Sequence, residues 1–223
     1  MTRQAQALIL DFGGVITRTM FETHSLSEAA LGLPKGSLTW QGPFAPEADP
    51  LWQDMQADRM TERDYWQKRT TEVAKLVGAD WSEMSDFVKA ARGADPLPII
   101  RPEALSAIDI VAKAGIKLAV LSNELDLFYG AAFREKLPFL KGFDVISDAT
   151  YTGILKPDAR AYQACLTALD LSAEACVFVD DQRRNIEGAA RVGLRTVHFD
   201  VKNPGRSYEQ ALKQLGLKLG EPA

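Results

Sequence analysis

The chain has 223 residues, 46% of them apolar and 25% charged, with a formal charge of −4. That balance fits a globular protein large enough for one core plus an insert, and it offers no basic run to bind nucleic acid. No stretch approaches the ~20 apolar residues of a membrane span, and the apolar run Ala7–Leu10 is too short for a secretory signal. Cys165 and Cys176 read as small buried hydrophobes rather than a disulfide framework, so a reduced, cytoplasmic setting is expected.

Ala7–Leu10 is a continuous apolar run, the pattern of a strand buried on both faces. From residue 17 to about 98 the pattern turns helical. Thr61-Glu62-Arg63-Asp64 has the form of a capping box, and Trp81, Met84, Phe87, Val88 and Ala91 share one face of the next helix. Ala94-Asp95-Pro96-Leu97-Pro98 reads as a linker. Leu105, Ile108 and Ala112 then mark a helix face ahead of a strand at Lys117–Leu121. Phe143–Ile146 is a weaker strand. Tyr162, Cys165, Leu166 and Leu169 mark another helix, followed by strands at Ala175–Val179 and Arg195–Phe199. The last helix carries Tyr208, Ala211, Leu212 and Leu215 on one face, with Ser207 as its expected N-cap. Strands alternating with helices predict an α/β fold with a doubly wound, mostly parallel sheet. The expected organisation is a core of 1–16 and 99–223, with a helical insert over 17–98.

In such sheets, ligands bind outside the carboxyl ends of the strands. Asp11 follows the first strand, Ser122-Asn123 the second, and Asp180-Asp181 the run Ala175–Val179. Lys156-Pro157 stands before a helix beginning near Asp158, with proline suited to its first turn. If the strands are parallel, these groups face one crevice. Three carboxylates brought together repel unless a divalent cation holds them, and hard oxygen ligands suit Mg²⁺. A carboxylate can attack phosphorus to form an aspartyl-phosphate. Ser122 and Lys156 would bind and neutralise the transferring phosphoryl group, with Asn123 beside them. Gly13-Gly14 lets the backbone approach a substrate and offer N–H groups to phosphate oxygens.

Asp11-Phe12-Gly13-Gly14-Val15, Leu121-Ser122-Asn123, Lys156-Pro157 and Val179-Asp180-Asp181 resemble, in order and spacing, the four motifs of the haloacid dehalogenase-like superfamily. Lys156–Tyr162 and Asp180–Ala189 resemble its sugar-phosphatase-like branch, and the insert resembles its C1-type helical cap. The resemblance implies a Rossmann-like core and a mobile cap. It implies Asp11 as nucleophile and Mg²⁺ ligand, Ser122 and Lys156 as phosphate binders, and Asp181 as metal ligand with Asp180 assisting. The implied activity is hydrolysis of a small phosphorylated molecule.

One position departs from the family pattern. Most phosphatases of the family carry a second aspartate where this chain has Gly13. The Gly13 backbone carbonyl can still ligate the metal, but no side chain is there for general acid–base work, a contribution of ~10²–10⁴-fold. The departure predicts a slower enzyme, another proton donor, or a preference for good leaving groups. Two other readings stay open: a 2-haloacid dehalogenase, which uses the same nucleophile without metal and without the Asp-Asp pair, and a phosphate-binding protein without turnover. His24, His198, Arg183 and Arg184 are expected to be structural, with His198 away from the crevice. Trp40, Trp52, Trp66 and Trp81 are expected in the core of the insert, with one or two free to line a pocket.

Overall fold

The computed structural model describes residues 5–92 and 95–218, so Ala94 of the expected linker lies outside the described residues. Five strands form one parallel sheet: β1 (Ala7–Leu10), β2 (Lys117–Ser122), β3 (Val145–Asp148), β4 (Cys176–Asp180) and β5 (Arg195–His198). Their order is β3-β2-β1-β4-β5, every neighbouring pair parallel. The α/β class and the parallel sheet are as the sequence predicts. Order reverses beside β1, so the carboxyl ends of β1, β2 and β4 surround the expected crevice.

Ten α-helices are described: α1 (His24–Ala30), α2 (Pro50–Gln56), α3 (Glu62–Val77), α4 (Met84–Arg92), α5 (Pro102–Lys113), α6 (Leu125–Tyr129), α7 (Ala149–Thr152), α8 (Ala159–Leu169), α9 (Arg183–Val192) and α10 (Pro204–Gln214). The chain divides into two compact units. One holds residues 1–18, 100–126 and 137–223; the other holds 19–99 and 127–136.

In the first unit, strand alternation sends Ala7, Ile9, Ala119, Leu121, Cys176 and Phe178 to one face, against Tyr162, Cys165, Leu166 and Leu169 of α8 and Ala189 of α9. Both cysteines are buried there as thiols, and burial pushes Cys165 up to about 11. The alternate residues Leu8, Leu10, Leu118, Val120, Val177 and Val179 turn the other way, all buried. Helices α5 and α10 contact this sheet and each other. The buried stripe of α5 is Ala104, Ala107, Ile108 and Val111, whereas Leu105 is 39% exposed and Ala112 is exposed. The expected face was thus turned by one residue, because alanines rather than the larger leucine pack closest to the sheet. Helix α10 buries Tyr208, Ala211, Leu212 and Leu215 as expected. It begins earlier, however, at Pro204 with Asn203 as N-cap, because proline suits the first turn. Ser207 lies inside that turn, where its hydroxyl accepts from the Asp200 N–H at 2.9 Å.

The second unit is helical, with no strand among its described residues. The Thr61 hydroxyl accepts from the Asp64 N–H at 3.1 Å while Asp64 Oδ2 accepts from the Thr61 N–H at 3.2 Å, the reciprocal cap that starts α3. Phe21 packs against Trp40, Trp52 and Trp66 at 5.5, 5.2 and 5.5 Å, and Trp81 stacks on Phe87. Against these rings lies a buried polar network. Buried Asp49 accepts from Arg69 Nη2 at 2.5 Å, the Tyr65 hydroxyl at 2.9 Å, the Trp52 N–H at 3.0 Å and the Gly42 N–H at 3.3 Å. Arg69 also lies over the rings of Trp40 and Tyr65. Glu28 accepts from the Gly36 and Leu38 N–H groups at 3.0 and 2.9 Å; burial opposes its charge, but these donors win and hold its carboxyl below the usual range.

Candidate active site

Strand register sets the acids side by side. Leu10 pairs with Val179 across one parallel ladder and with Val120 across the other. The next residues on β1 and β4 are therefore Asp11 and Asp180, and the Asp11 N–H still reaches the Val179 carbonyl at 2.9 Å. Asp180 closes β4 rather than following it, and Asp181 comes directly after. Carboxylate oxygens of Asp11, Asp180 and Asp181 all lie within 4.8 Å of one another. Ser122 ends β2 at the same edge of the sheet, 6% exposed.

Lys156 enters this cluster from the loop ahead of α8. Its Nζ stands 2.9 Å from Asp11 Oδ1 and donates to Asp180 Oδ2 at 2.7 Å. Asn123 holds that loop from both sides: its Oδ1 accepts from the Lys156 N–H at 2.7 Å, and its Nδ2 donates to the Lys156 carbonyl at 3.2 Å. The Lys156-Pro157 peptide is cis, and Pro157 precedes the N-cap Asp158 rather than entering the first turn. Helix α9 approaches closely at Gly188, where a Cβ would lie 2.7 Å from Pro157 Cβ and 2.9 Å from the Tyr162 hydroxyl oxygen. That hydroxyl donates to the Asn185 carbonyl at 2.7 Å.

Asp180 is fully buried and well supplied. Besides Lys156, it accepts from the Gln182 N–H at 2.8 Å and from Asn185 Nδ2 at 3.1 Å to each oxygen. Asn185 was not singled out from sequence, although it lies within the fourth motif-like stretch. Its asparagine-to-carboxylate bond depends on the start of α9 bringing position 185 back over 180.

The two glycines after Asp11 differ. Gly14 has φ +77°, and a Cβ there would lie 2.6 Å from Asp181 Oδ2. Only glycine fits that place. Gly13 has φ −70° and ψ 129°, an ordinary extended conformation, and a Cβ there meets nothing within 4 Å.

Burial raises Asp11 to about 7 because Lys156 only partly offsets the loss of water, and Asp180 adds repulsion. Burial also opposes the Lys156 charge, but the two carboxylates outweigh it and hold the ammonium above its ordinary value. Hard carboxylate oxygens grouped this closely fit a divalent cation of the Mg²⁺ kind.

The remaining sequence candidates fall as follows. His198 is nearer than expected: it ends β5 opposite Asp180, and its Nε2 lies 3.0 Å from the Asp181 carbonyl. Arg183 is exposed and pairs with Glu187 at 2.9 Å. His24 lies in the second unit with its ring edge-on to Trp40 at 4.4 Å, and burial lowers its pKa.

Comparison with known proteins agrees with this architecture. The chain is 27% identical to acyl-CoA dehydrogenase family member 10 of Mus musculus over 99% of its own length but only 20% of that protein. It is 33% identical over 114 residues to phosphatase MT3486 of Mycobacterium tuberculosis (strain CDC 1551 / Oshkosh), covering 51% of this chain and 52% of the relative. The chain thus spans a fifth to a half of these relatives. The hydrolase YfnB from Bacillus subtilis, solved bound to magnesium, shares the fold with a TM-score of 0.65 at 17% identity, covering 88% of this chain and 87% of that one. The family model of haloacid dehalogenase-like hydrolases matches residues 5–193, and the chain belongs to that family.

Proposed function

We propose that this chain is a Mg²⁺-dependent phosphatase of small phosphomonoesters, sugar phosphates among them, working through an aspartyl-phosphate on Asp11. The observation that carries this reading is the convergence of the Asp11, Asp180 and Asp181 carboxylates within 4.8 Å of one another, with Lys156 bridging Asp11 and Asp180. The name of the mycobacterial relative, a phosphatase, points the same way over half of each chain.

The carboxylates of Asp11, Asp180 and Asp181 and the Gly13 carbonyl would hold Mg²⁺. When bound, the ion supplies charge neutralisation at the phosphoryl oxygens. Asp11 Oδ attacks phosphorus, and the ester oxygen departs with the electron pair of the broken P–O bond. Lys156 stays protonated throughout and, with Ser122 and backbone N–H groups at Gly13-Gly14, holds the phosphoryl oxygens. Asn123 contributes by fixing the Lys156 backbone. Water then attacks the aspartyl-phosphate, releasing phosphate and restoring the Asp11 carboxylate. Because Gly13 brings no acid, the leaving oxygen takes its proton from elsewhere, which favours esters of good leaving groups. We assign substrate selection to the helical insert over 17–98, acting as a cap.

Phosphate release from a panel of phosphomonoesters, with MgCl₂ and with EDTA, tests the reading. Turnover that needs metal and falls by ~10³-fold or more in Asp11→Asn is expected. Gly13 favours one competitor, a 2-haloacid dehalogenase. Chloride release from 2-chloropropionate in EDTA, with no phosphate release from any ester, would replace the phosphatase reading with that one.

A further inference from the structure

We infer that Arg101 and Tyr208 are positioning residues for the turn that follows Asp11; only the kinetic part of this inference rests on the phosphatase reading. The turn, Phe12–Ile16, contains two residues of non-helical conformation, Gly13 and Gly14. Adjacent glycines leave a chain with more freedom than any other pair. Here that freedom is removed from outside the turn. Arg101 Nε donates to the Gly14 carbonyl at 3.1 Å, the Tyr208 hydroxyl donates to the Val15 carbonyl at 3.1 Å, and the Arg101 N–H donates to the Ile16 carbonyl at 3.0 Å. Three consecutive carbonyls are thereby fixed. A trans peptide is planar with its C=O and N–H pointing opposite ways, so the N–H directions of Val15, Ile16 and Thr17 are fixed with them. So is the placement of Gly14 against Asp181, where no Cβ would fit.

Both donors are themselves held. Arg101 is 2% exposed and Tyr208 fully buried. The guanidinium lies 5.5 Å from the Phe199 ring centre, and Phe199 meets Tyr208 edge-on at 5.3 Å. A methionine at 101 and a phenylalanine at 208 would fill similar space without the cost of burying a charge or a hydroxyl. What an apolar side chain cannot supply is a donor aimed at these carbonyls. These buried donors therefore hold the turn, which begins at the residue after the proposed nucleophile.

The test compares wild type, Arg101→Met, Arg101→Lys and Tyr208→Phe. Amide hydrogen exchange is followed by mass spectrometry in EDTA, and kcat and KM are measured on acetyl phosphate with MgCl₂. Exchange over residues 12–17 is expected to quicken about tenfold in Arg101→Met and less in Tyr208→Phe, while β2 and β4 keep their protection. Turnover should fall about 10²-fold in Arg101→Met with KM nearly unchanged, and Arg101→Lys should recover part of it. Unchanged exchange over 12–17 in the folded variants would overturn the inference. So would a uniform rise across all peptides, which would make Arg101 a general stabiliser. Should Arg101→Met fail to fold, Tyr208→Phe decides alone, since it removes a single oxygen. Should wild type release no phosphate, the phosphatase reading falls while the exchange result still decides this one.

Discussion

Each of the two units buries a cluster of charge, and the clusters are built to opposite plans. In the helical unit, Asp49 meets four donors, among them Arg69 at 2.5 Å, and Arg69 also pairs with Glu72 at 2.7 Å. In the sheet unit, Lys156 reaches two carboxylates at once, and a third stands within 4.8 Å of both. The first cluster gathers donors around one carboxylate. The second gathers three carboxylates, and it is assembled at the strand ends where α/β sheets bind ligands. Burial of charge therefore does not distinguish structural from functional residues; the number of carboxylates brought together and their place at the strand ends do.

The largest effect that would sharpen this contrast is on turnover. Lys156→Met removes the ammonium that bridges Asp11 and Asp180, and phosphate release is expected to drop about 10³-fold. Arg69→Met strands Asp49 in the helical unit and should cost about 3–5 kcal/mol in urea unfolding. Adding Asp49→Asn to it should restore part of that loss, because the second substitution removes the stranded charge. Next come the two glycines. Gly14→Ala forces a Cβ toward Asp181 Oδ2 and should lower turnover about 10²-fold, whereas Gly13→Asp enters open space and should raise the rate on poor leaving groups.

The smallest effect is on stability and depends on pH. Asp11 is raised from 3.8 to about 7 by burial, so the folded metal-free protein holds its proton more tightly than the unfolded chain. Ionising Asp11 thus works against folding: the cost is absent below 3.8, grows with pH, and is complete above about 7. Asp11→Asn should therefore raise the unfolding midpoint in EDTA by about 2–4 °C at pH 8, the gain shrinking toward pH 5. An equal gain at both pH values would mean that Asp11 is not the group under strain.

Legibility in the sequence followed how local each signal was. Continuous apolar runs located β1 and β4 to within one residue at their ends, because burial on both faces leaves no other pattern. The capping box of α3 was legible because its two partners are three residues apart. The stripe of α5 was misjudged by one position, since periodicity favours a large leucine while close packing against the sheet selected alanine. The acids and Lys156 could be proposed as neighbours once parallel strands were assumed, and their side chains do meet. Arg101, Tyr208 and Asn185 were not legible as they stand. Each acts through a backbone carbonyl or carboxylate brought near only by the folded chain, and Tyr208 looked like any other member of an apolar face. The grouping of residues 127–136 with the helical unit was equally hidden, for only residues 123–126 separate them from β2.

The most direct test of the central claim is calorimetric titration with MgCl₂ at about pH 8, where Asp11 is ionised, using wild type, Asp181→Asn and Asp49→Asn. Saturable binding in wild type and Asp49→Asn, weakened at least about tenfold in Asp181→Asn, is the predicted result. Equal binding in wild type and Asp181→Asn, or no binding in wild type, would contradict the claim that the three-carboxylate cluster is a cation site.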